Sequence, residues 1–231
     1  MPAEPVPPAG AAPLLIACAL GIERLALRGA DRPGPPGPVT VLRTGMGPQA
    51  AERAVTRALA AAGPAVRETA VIATGFCAGL APGMHPGDLV VAEETRDEHG
   101  RTPCTGGDTL IAALTALTAL SSRSAPSRGG APRALHTGPL AGSGQVVRGA
   151  RRARLRATGA IAVDMESAAT LRTAAAAGVR PVAAVRVVVD APEHELVRIG
   201  TLRGGISAFR VLRTLLPAFF EWHRSLPLPR R

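Results

Sequence analysis

"IAVDMESAAT", residues 161–170, decides how this chain is read: a short apolar run ends in two carboxylates, Asp164 and Glu166, around Met165, and an alanine-rich segment follows at once. The apolar run has the character of a strand buried on both faces, and "SAATLRTAAAAG" (167–178) is long and apolar enough to be a helix. A buried strand that finishes in an acid has either a capped helix or a site beyond it. Asp164 suits both, because Asp caps helices well. Glu166 suits a site better: Glu is a poor cap, and an ionised Glu beside a buried strand needs a partner that this segment does not supply.

Outward from this stretch the same alternation recurs. "LLIACAL" (14–20), "VTVLRTG" (39–45), "TAVIATG" (69–75), "GDLVVAEE" (87–94) and "PVAAVRVVVD" (181–190) read as strands of continuous apolar character. "PQAAERAVTRALAAA" (48–62), "TLIAALTALTAL" (109–120) and "GGISAFRVLRTLLPAFFEWHR" (204–224) read as helices, the first with Pro48 near its start. Such strands alternating with helices predict an α/β fold, a mixed central sheet flanked by helices, as a single domain over residues 14–224. Residues 1–13 are Pro/Ala-rich and are expected to be a disordered tail, and "SSRSAPSRGGAPR" (121–133) a flexible surface loop.

Composition narrows the function. The 231 residues are 46% hydrophobic, enough for one sizeable core. A net charge of +10 invites a nucleic-acid reading, but every basic residue is Arg, and Lys, Asn and Tyr are absent, the signature of a GC-biased coding sequence. The aromatic platforms that single-strand binders stack bases on are scarce: Phe76 stands alone, and Phe209, Phe219, Phe220 and Trp222 crowd the C-terminal segment. No nucleic-acid partner is therefore expected. Cys18, Cys77 and Cys104 are odd in number and widely spaced, which argues for reduced thiols and against a disulfide framework or a zinc site; no metal or organic cofactor is expected. The N-terminus lacks a basic signal start, and no apolar run approaches the ~20 residues of a membrane span, so a cytoplasmic location is expected. The five histidines are scattered and receive no role.

In open α/β sheets, ligands bind beyond the carboxyl ends of the strands. Asp164, Glu166 and Asp190 all lie at such ends. Two glycine turns accompany them. "TGMG" (44–47) opens a helix, so the backbone N–H groups around Gly45 and Gly47 are suited to an anion or a ribose hydroxyl; "TGFCAGL" (74–80) follows a strand, with Gly75 and Gly79 permitting close approach of a flat ligand.

With these pieces in order, "TGFCAGLAPGMHPGDLVVAEE", then "AVDMESAA", then "VRVVVD", the chain resembles the nucleoside phosphorylase and nucleosidase superfamily over about residues 14–192. The resemblance implies cleavage of the N-ribosidic bond of a purine nucleoside. It implies that Met165 packs on the ribose, that Glu166 accepts from its 2′- and 3′-hydroxyls, and that Asp190 serves as the acid at the purine N7. Glu23, in "ACALGIERLAL", matches the carboxylate that activates water in the nucleosidase branch. "GPLAGSGQVV" (138–147) and "ALGIE" look closest to the hopanoid-associated branch, implying adenosylhopane or another 5′-substituted adenosine. A homo-oligomer is expected. The apolar "LLPAFFEW" segment suits either an apolar 5′ substituent or an oligomer interface.

The resemblance also has departures. The usual Ser-Asp pair is Val189-Asp190, and Phe76 and Cys77 occupy a turn that often carries smaller or polar residues. Phosphorylases carry an Arg before the second glycine turn to hold the phosphate dianion, whereas here "VIATG" places Ala73 there. Arg43, beside "TGMG", is the candidate substitute. Water is favoured as acceptor, with phosphorolysis and a non-catalytic nucleoside-binding protein as the alternatives.

Overall fold

The computed structural model describes residues 12–28, 37–124, 134–179, 181–190 and 208–226. The tail lies outside them except for residues 12 and 13; of the 121–133 loop expected from the sequence, residues 121–124 are instead helical and the rest lies outside the described residues. Its strands are β1 (Leu14–Cys18), β2 (Val39–Arg43), β3 (Ala70–Gly79), β4 (Leu89–Asp97), β5 (Gly100–Pro103), β6 (Leu135–Gly142), β7 (Ala162–Asp164) and β8 (Val182–Asp190). The helices are α1 (Gly21–Ala26), α2 (Pro48–Ala61), α3 (Gly107–Ser124), α4 (Ala150–Ala157), α5 (Ser167–Ala176) and α6 (Leu216–Ser225). The α/β class and the mixed sheet flanked by helices are as the sequence predicts.

The sheet closes on itself. β3 pairs with β8, β8 with β4, β4 with β6, β6 with β7, and β7 returns to β3, so these strands form a barrel. β1 and β2 extend it beyond β3, and β5 beyond β4. Apolar side chains fill both sides: Ile16, Ile72, Val185 and Val187 face one cluster, Leu15, Val71, Ala184 and Val188 the other. Alternate residues of each strand thus point to opposite faces, which explains their unbroken apolar runs.

β3 corrects the sequence reading of a glycine turn at 74–80, because the strand continues through Gly75 to Gly79. One edge pairs with β8 throughout, apart from a bulge between Cys77 and Ala78. The other edge changes partner: β1 runs parallel to it at residues 70–73, and β7 runs antiparallel to it at Ala78 and Gly79. Residues 74–77 lie in the gap between the two, and the site forms there.

The C-terminal segment also differs from expectation. Instead of one helix over 204–224, residues 208–212 are helical, the chain turns, and α6 begins at Leu216 with Pro217 in its first turn. Proline lacks the N–H that a continuous helix would need there, so it marks a new start. The apolar residues are not left for a ligand or a partner copy: Leu215, Leu216, Phe219, Phe220 and Trp222 are buried in the chain's own core, α6 packs on α3, and Trp222 Nε1 donates to Thr105 O at 2.8 Å. Phe219→Ala should therefore cost about 3–5 kcal/mol of folding stability. Chemical denaturation with an unmoved midpoint would show that this segment is not core.

Candidate functional site

Glu23 fills the gap at the edge of β3. It sits in the first turn of α1, buried to 2% exposure, and its carboxylate takes the place of a missing strand. Oε1 accepts from Phe76 N–H at 2.8 Å, and Oε2 accepts from Ala19 and Leu20 N–H, each at 2.8 Å. A carboxylate has about four acceptor positions. Three are satisfied by backbone, and the remaining one is on Oε1, at the cavity that Glu23 lines. Gly75 explains itself in the same way. With φ +131°, a Cβ there would collide with the Glu23 carboxylate and stand 2.7 Å from Arg186 Nη1, so this glycine makes room for two charged side chains rather than for a flat ligand.

The two acids of "VDMES" divide their work. Asp164 is the structural one: Oδ2 pairs with Arg186 Nη2 at 2.6 Å, and both oxygens accept from Ser167 N–H, at 3.1 and 3.3 Å, at the start of α5. Of the two readings open for Asp164, the structure shows the cap-like one at Ser167, while the residue also lines the cavity. Glu166 reaches across to α2, where Gly47, with φ +87° at the helix N-cap, donates its N–H to Oε1 at 2.7 Å. The "TGMG" N–H expected to receive a ligand is thus given to Glu166. Oε2 has no hydrogen-bond partner among the described residues, and Glu166 lines the cavity. Burial pushes its pKa up, Asp164 and Glu23 push the same way, and Arg186 with the Gly47 N–H opposes them.

Arg186 was not singled out from the sequence. It lies opposite Gly75 in the β3–β8 register and is 1% exposed. Its Nε donates to Ser167 Oγ, Nη1 to Thr74 O, and Nη2 pairs with Asp164. Burial opposes its charge, but Asp164, Glu166 and Glu23 outweigh it and hold the guanidinium charged. The signal was present as an arginine inside the apolar run "VAAVRVVVD", where only a paired charge is tolerated.

At the end of β8, Asp190 lines the same cavity. Its Oδ2 accepts from Arg152 Nη1 at 2.9 Å, and its Oδ1 is buried with no partner among the described residues. The cavity, of about 210 Å³, is closed by Met165, Phe76, Val147, Val163 and Val189, with exposed Met46 and Val146 at its lining. The structure brings Glu23, Phe76, Met165, Glu166 and Asp190 together as the sequence predicts. Three expectations are corrected. Gly79 packs its bare Cα against Met84, whose Sδ would stand 2.7 Å from a Cβ; Gly45 serves the turn into α2; and Arg43 lies in an outer pocket with Arg24 and Arg28. Among the described residues no cation lines the central cavity, whereas four carboxylates do: Glu23, Asp164, Glu166 and Asp190. The thiols are inert here, with burial pushing Cys18 and Cys104 up to about 12 and Cys77 higher still. Among the described residues no cluster of metal-ligating side chains occurs, and no helix is long and apolar enough to cross a membrane.

The family model of the phosphorylase superfamily matches residues 36–216, and the chain belongs to that superfamily. No curated protein matches it in sequence. Among solved structures, a Weissella paramesenteroides protein provisionally identified as a methylthioadenosine nucleosidase superposes with a TM-score of 0.71 at 18% identity, covering 92% of this chain and 98% of its own. The 5′-methylthioadenosine/S-adenosylhomocysteine nucleosidase of Neisseria meningitidis, in complex with methylthio-immucillin-A, gives 0.69 at 18% identity, covering 93% and 99%. A Helicobacter pylori mutant protein with 5′-methylthioadenosine in its active site gives 0.66 at 17% identity, covering 94% and 100%. At these identities the likeness establishes the shared fold.

The geometry predicts two outcomes. Gly75→Ala should push Glu23 and Arg186 apart and destabilise the fold by about 1–3 kcal/mol, the scale of strain at such a backbone position; thermal unfolding measures it. Glu166 gives a pH dependence. Its pKa in the empty site lies above the ordinary 4.5, and a hydroxyl donating to it favours the ionised form, so binding releases a proton. Affinity for an unreactive nucleoside analogue should rise with pH until Glu166 is ionised in the free protein, then level off. Titration calorimetry at several pH values checks this, and Glu166→Gln should flatten the profile.

Proposed function

We propose that the chain hydrolyses the N-ribosidic bond of a purine nucleoside, releasing the base and a reducing sugar. The observation that carries this reading is the charge of the cavity: among the described residues, carboxylates line it and no cation does. A ribosyl group losing its base acquires oxocarbenium character, and fixed negative charge in a water-poor site stabilises it. A phosphate dianion entering the same site would meet Glu23 and Glu166 without the bidentate cationic partner it needs. Arg186 does not supply one, because it is buried at 1% exposure, does not line the cavity, and is turned to Ser167, Thr74 and Asp164.

The roles follow from which oxygens remain free. Glu23 keeps one acceptor position on Oε1, which suits it to orient and deprotonate a water attacking the anomeric carbon. Glu166 offers Oε2 to the ribose hydroxyls, with Met165 against the sugar ring. Asp190 presents Oδ1 to the departing purine, where a proton delivered at N7 turns an anionic leaving group into a neutral one. The nucleosidases that superpose on the chain support a 5′-substituted adenosine as substrate. The apolar Met46 and Val146 at the cavity suit an apolar 5′ group, of which adenosylhopane is the form that the sequence resemblance implies.

Base release in phosphate-free buffer tests the reaction. Hydrolysis predicts full activity there, a free reducing sugar as product, and a loss of about 10²–10⁴-fold in turnover for Glu23→Gln or Asp190→Asn with substrate binding retained. Activity that appears only with phosphate, with a ribose 1-phosphate derivative accumulating, would replace hydrolysis by phosphorolysis.

A further inference from the structure

Helix α4 is among the most basic stretches of the chain, "ARRARLRA", and its arginines are unequal: Arg151, Arg154 and Arg156 face solvent, whereas Arg152 is 7% exposed. Its guanidinium spans three acceptors on two strand ends. Nη1 donates to Asp190 Oδ2 at 2.9 Å, Nη2 to Gly79 O at 2.8 Å, and Nη2 also lies 3.5 Å from Asp190 O. Gly79 ends β3 and Asp190 ends β8, so one side chain ties both strand ends to the helix that follows the cavity-lining residues Gln145–Val147. It does not itself line the cavity.

We propose that Arg152 is the positioning residue for Asp190, and that it does the work for which the neighbouring Val189 has no donor; the proposal rests on the reading that Asp190 acts at the base. A carboxylate at the end of a strand rotates about two side-chain bonds, and an unanchored one samples several orientations. Taking Oδ2 into a charge-assisted bond leaves Oδ1 as the oxygen available to a ligand, and that oxygen is buried and without a partner among the described residues. The two carbonyl contacts fix the guanidinium plane, so the carboxylate inherits a defined orientation rather than a loose ion pair. Lysine, a point charge without a planar fork, can meet Oδ2 but not all three acceptors together. A latch that merely held α4 to the barrel would account for the carbonyl contacts but gives no reason to spend the guanidinium on a cavity carboxylate.

The test combines kinetics with a direct view of the carboxyl. In the full chain, Arg152→Met, Arg152→Lys, Asp190→Asn and the Met/Asn double variant are compared for adenine release from 5′-methylthioadenosine, together with the ¹³C resonance of the Asp190 carboxyl, assigned by its loss in Asp190→Asn. Misplacing a reacting group by about an ångström costs on the order of 10²-fold, so Arg152→Met should lower kcat by about 10- to 100-fold with a smaller change in KM. Arg152→Lys should recover part of the loss. In the Asp190→Asn background, Arg152→Met should cost nothing further, because the residue acts through Asp190. The carboxyl resonance should move in Arg152→Met. Full turnover by Asp190→Asn would remove the reading of Asp190 itself. An inactive Asp190→Asn beside a fully active Arg152→Met, or an Arg152→Met loss undiminished in the Asp190→Asn background, would overturn only the role of Arg152. An unmoved carboxyl resonance would overturn it whether or not this nucleoside is turned over.

Discussion

A buried guanidinium holds the centre of this molecule together. Placing Arg186 within the apolar run of β8 withdraws a full charge from water, which is tolerated only when geometry and partners compensate. Compensation comes from three directions: the Thr74 carbonyl on β3, the Ser167 hydroxyl on α5, and the Asp164 carboxylate at the end of β7. Removing one partner of such a pair typically costs about 3–5 kcal/mol, because the other charge is left buried alone. The same side chain therefore fixes the junction from which Met165 and Glu166 emerge. Gly75 is bare because Arg186 and Glu23 occupy the space above it.

The position of the site follows from a change of partner along β3. One edge is parallel to β1 and then antiparallel to β7, and two strands approaching from opposite senses cannot cover the residues between. A backbone N–H left at such a gap needs an acceptor. Glu23 supplies it for Phe76, and a carboxylate that completes a sheet edge is held more rigidly than one on a loop. The two roles are compatible because Phe76 takes only one acceptor position of Oε1. This is the general logic of ligand sites at sheet switch points, produced here by the closing of a barrel rather than by the reversal of strand order in an open sheet.

How much of this was legible in the sequence depends on whether the signal was local. Strands β1, β2, β4 and β8 and helices α2, α3 and α5 showed themselves by apolar runs and helical spacing. Strands β5 and β6 did not, because "GRTP" is polar and "LHTGPLAG" carries Gly138 and Pro139, which look like a loop. Gly138 is there because Ile161 packs on it, a constraint set by a distant residue. The second glycine stretch misled for the same reason, since its glycines yield space to Glu23, Arg186 and Met84 inside a strand. Glu23, Glu166, Met165 and Asp190 were recognisable by motif and do converge on one cavity, which Phe76, a departure from the family pattern, also lines. The division of labour between Asp164 and Glu166 was legible only in part: capping strength set them apart, but the partners that fix it, Arg186 and Gly47, are far away in sequence. Apolar "LLPAFFEW" looks like a surface in need of a partner until α3 is seen against it.

The arrangement also carries a cost that explains its chemistry. Arg186 is one positive charge among Asp164, Glu166 and Glu23, so the inner cluster is short of cations when all three acids are ionised. Burial and its acidic neighbours already oppose the charge on Glu166. A protein selected for stability alone would replace that residue by a neutral one. Keeping it means that the cavity favours something positive. Under the proposed hydrolysis, a ribosyl cation that exists only as the glycosidic bond breaks would meet the requirement: it would be stabilised by the uncompensated carboxylates, while the neutral substrate would gain less. Interactions that strengthen in the transition state relative to the ground state are the ones that accelerate a reaction. The imbalance that weakens the fold is, in this reading, the part of the structure that does the catalysis.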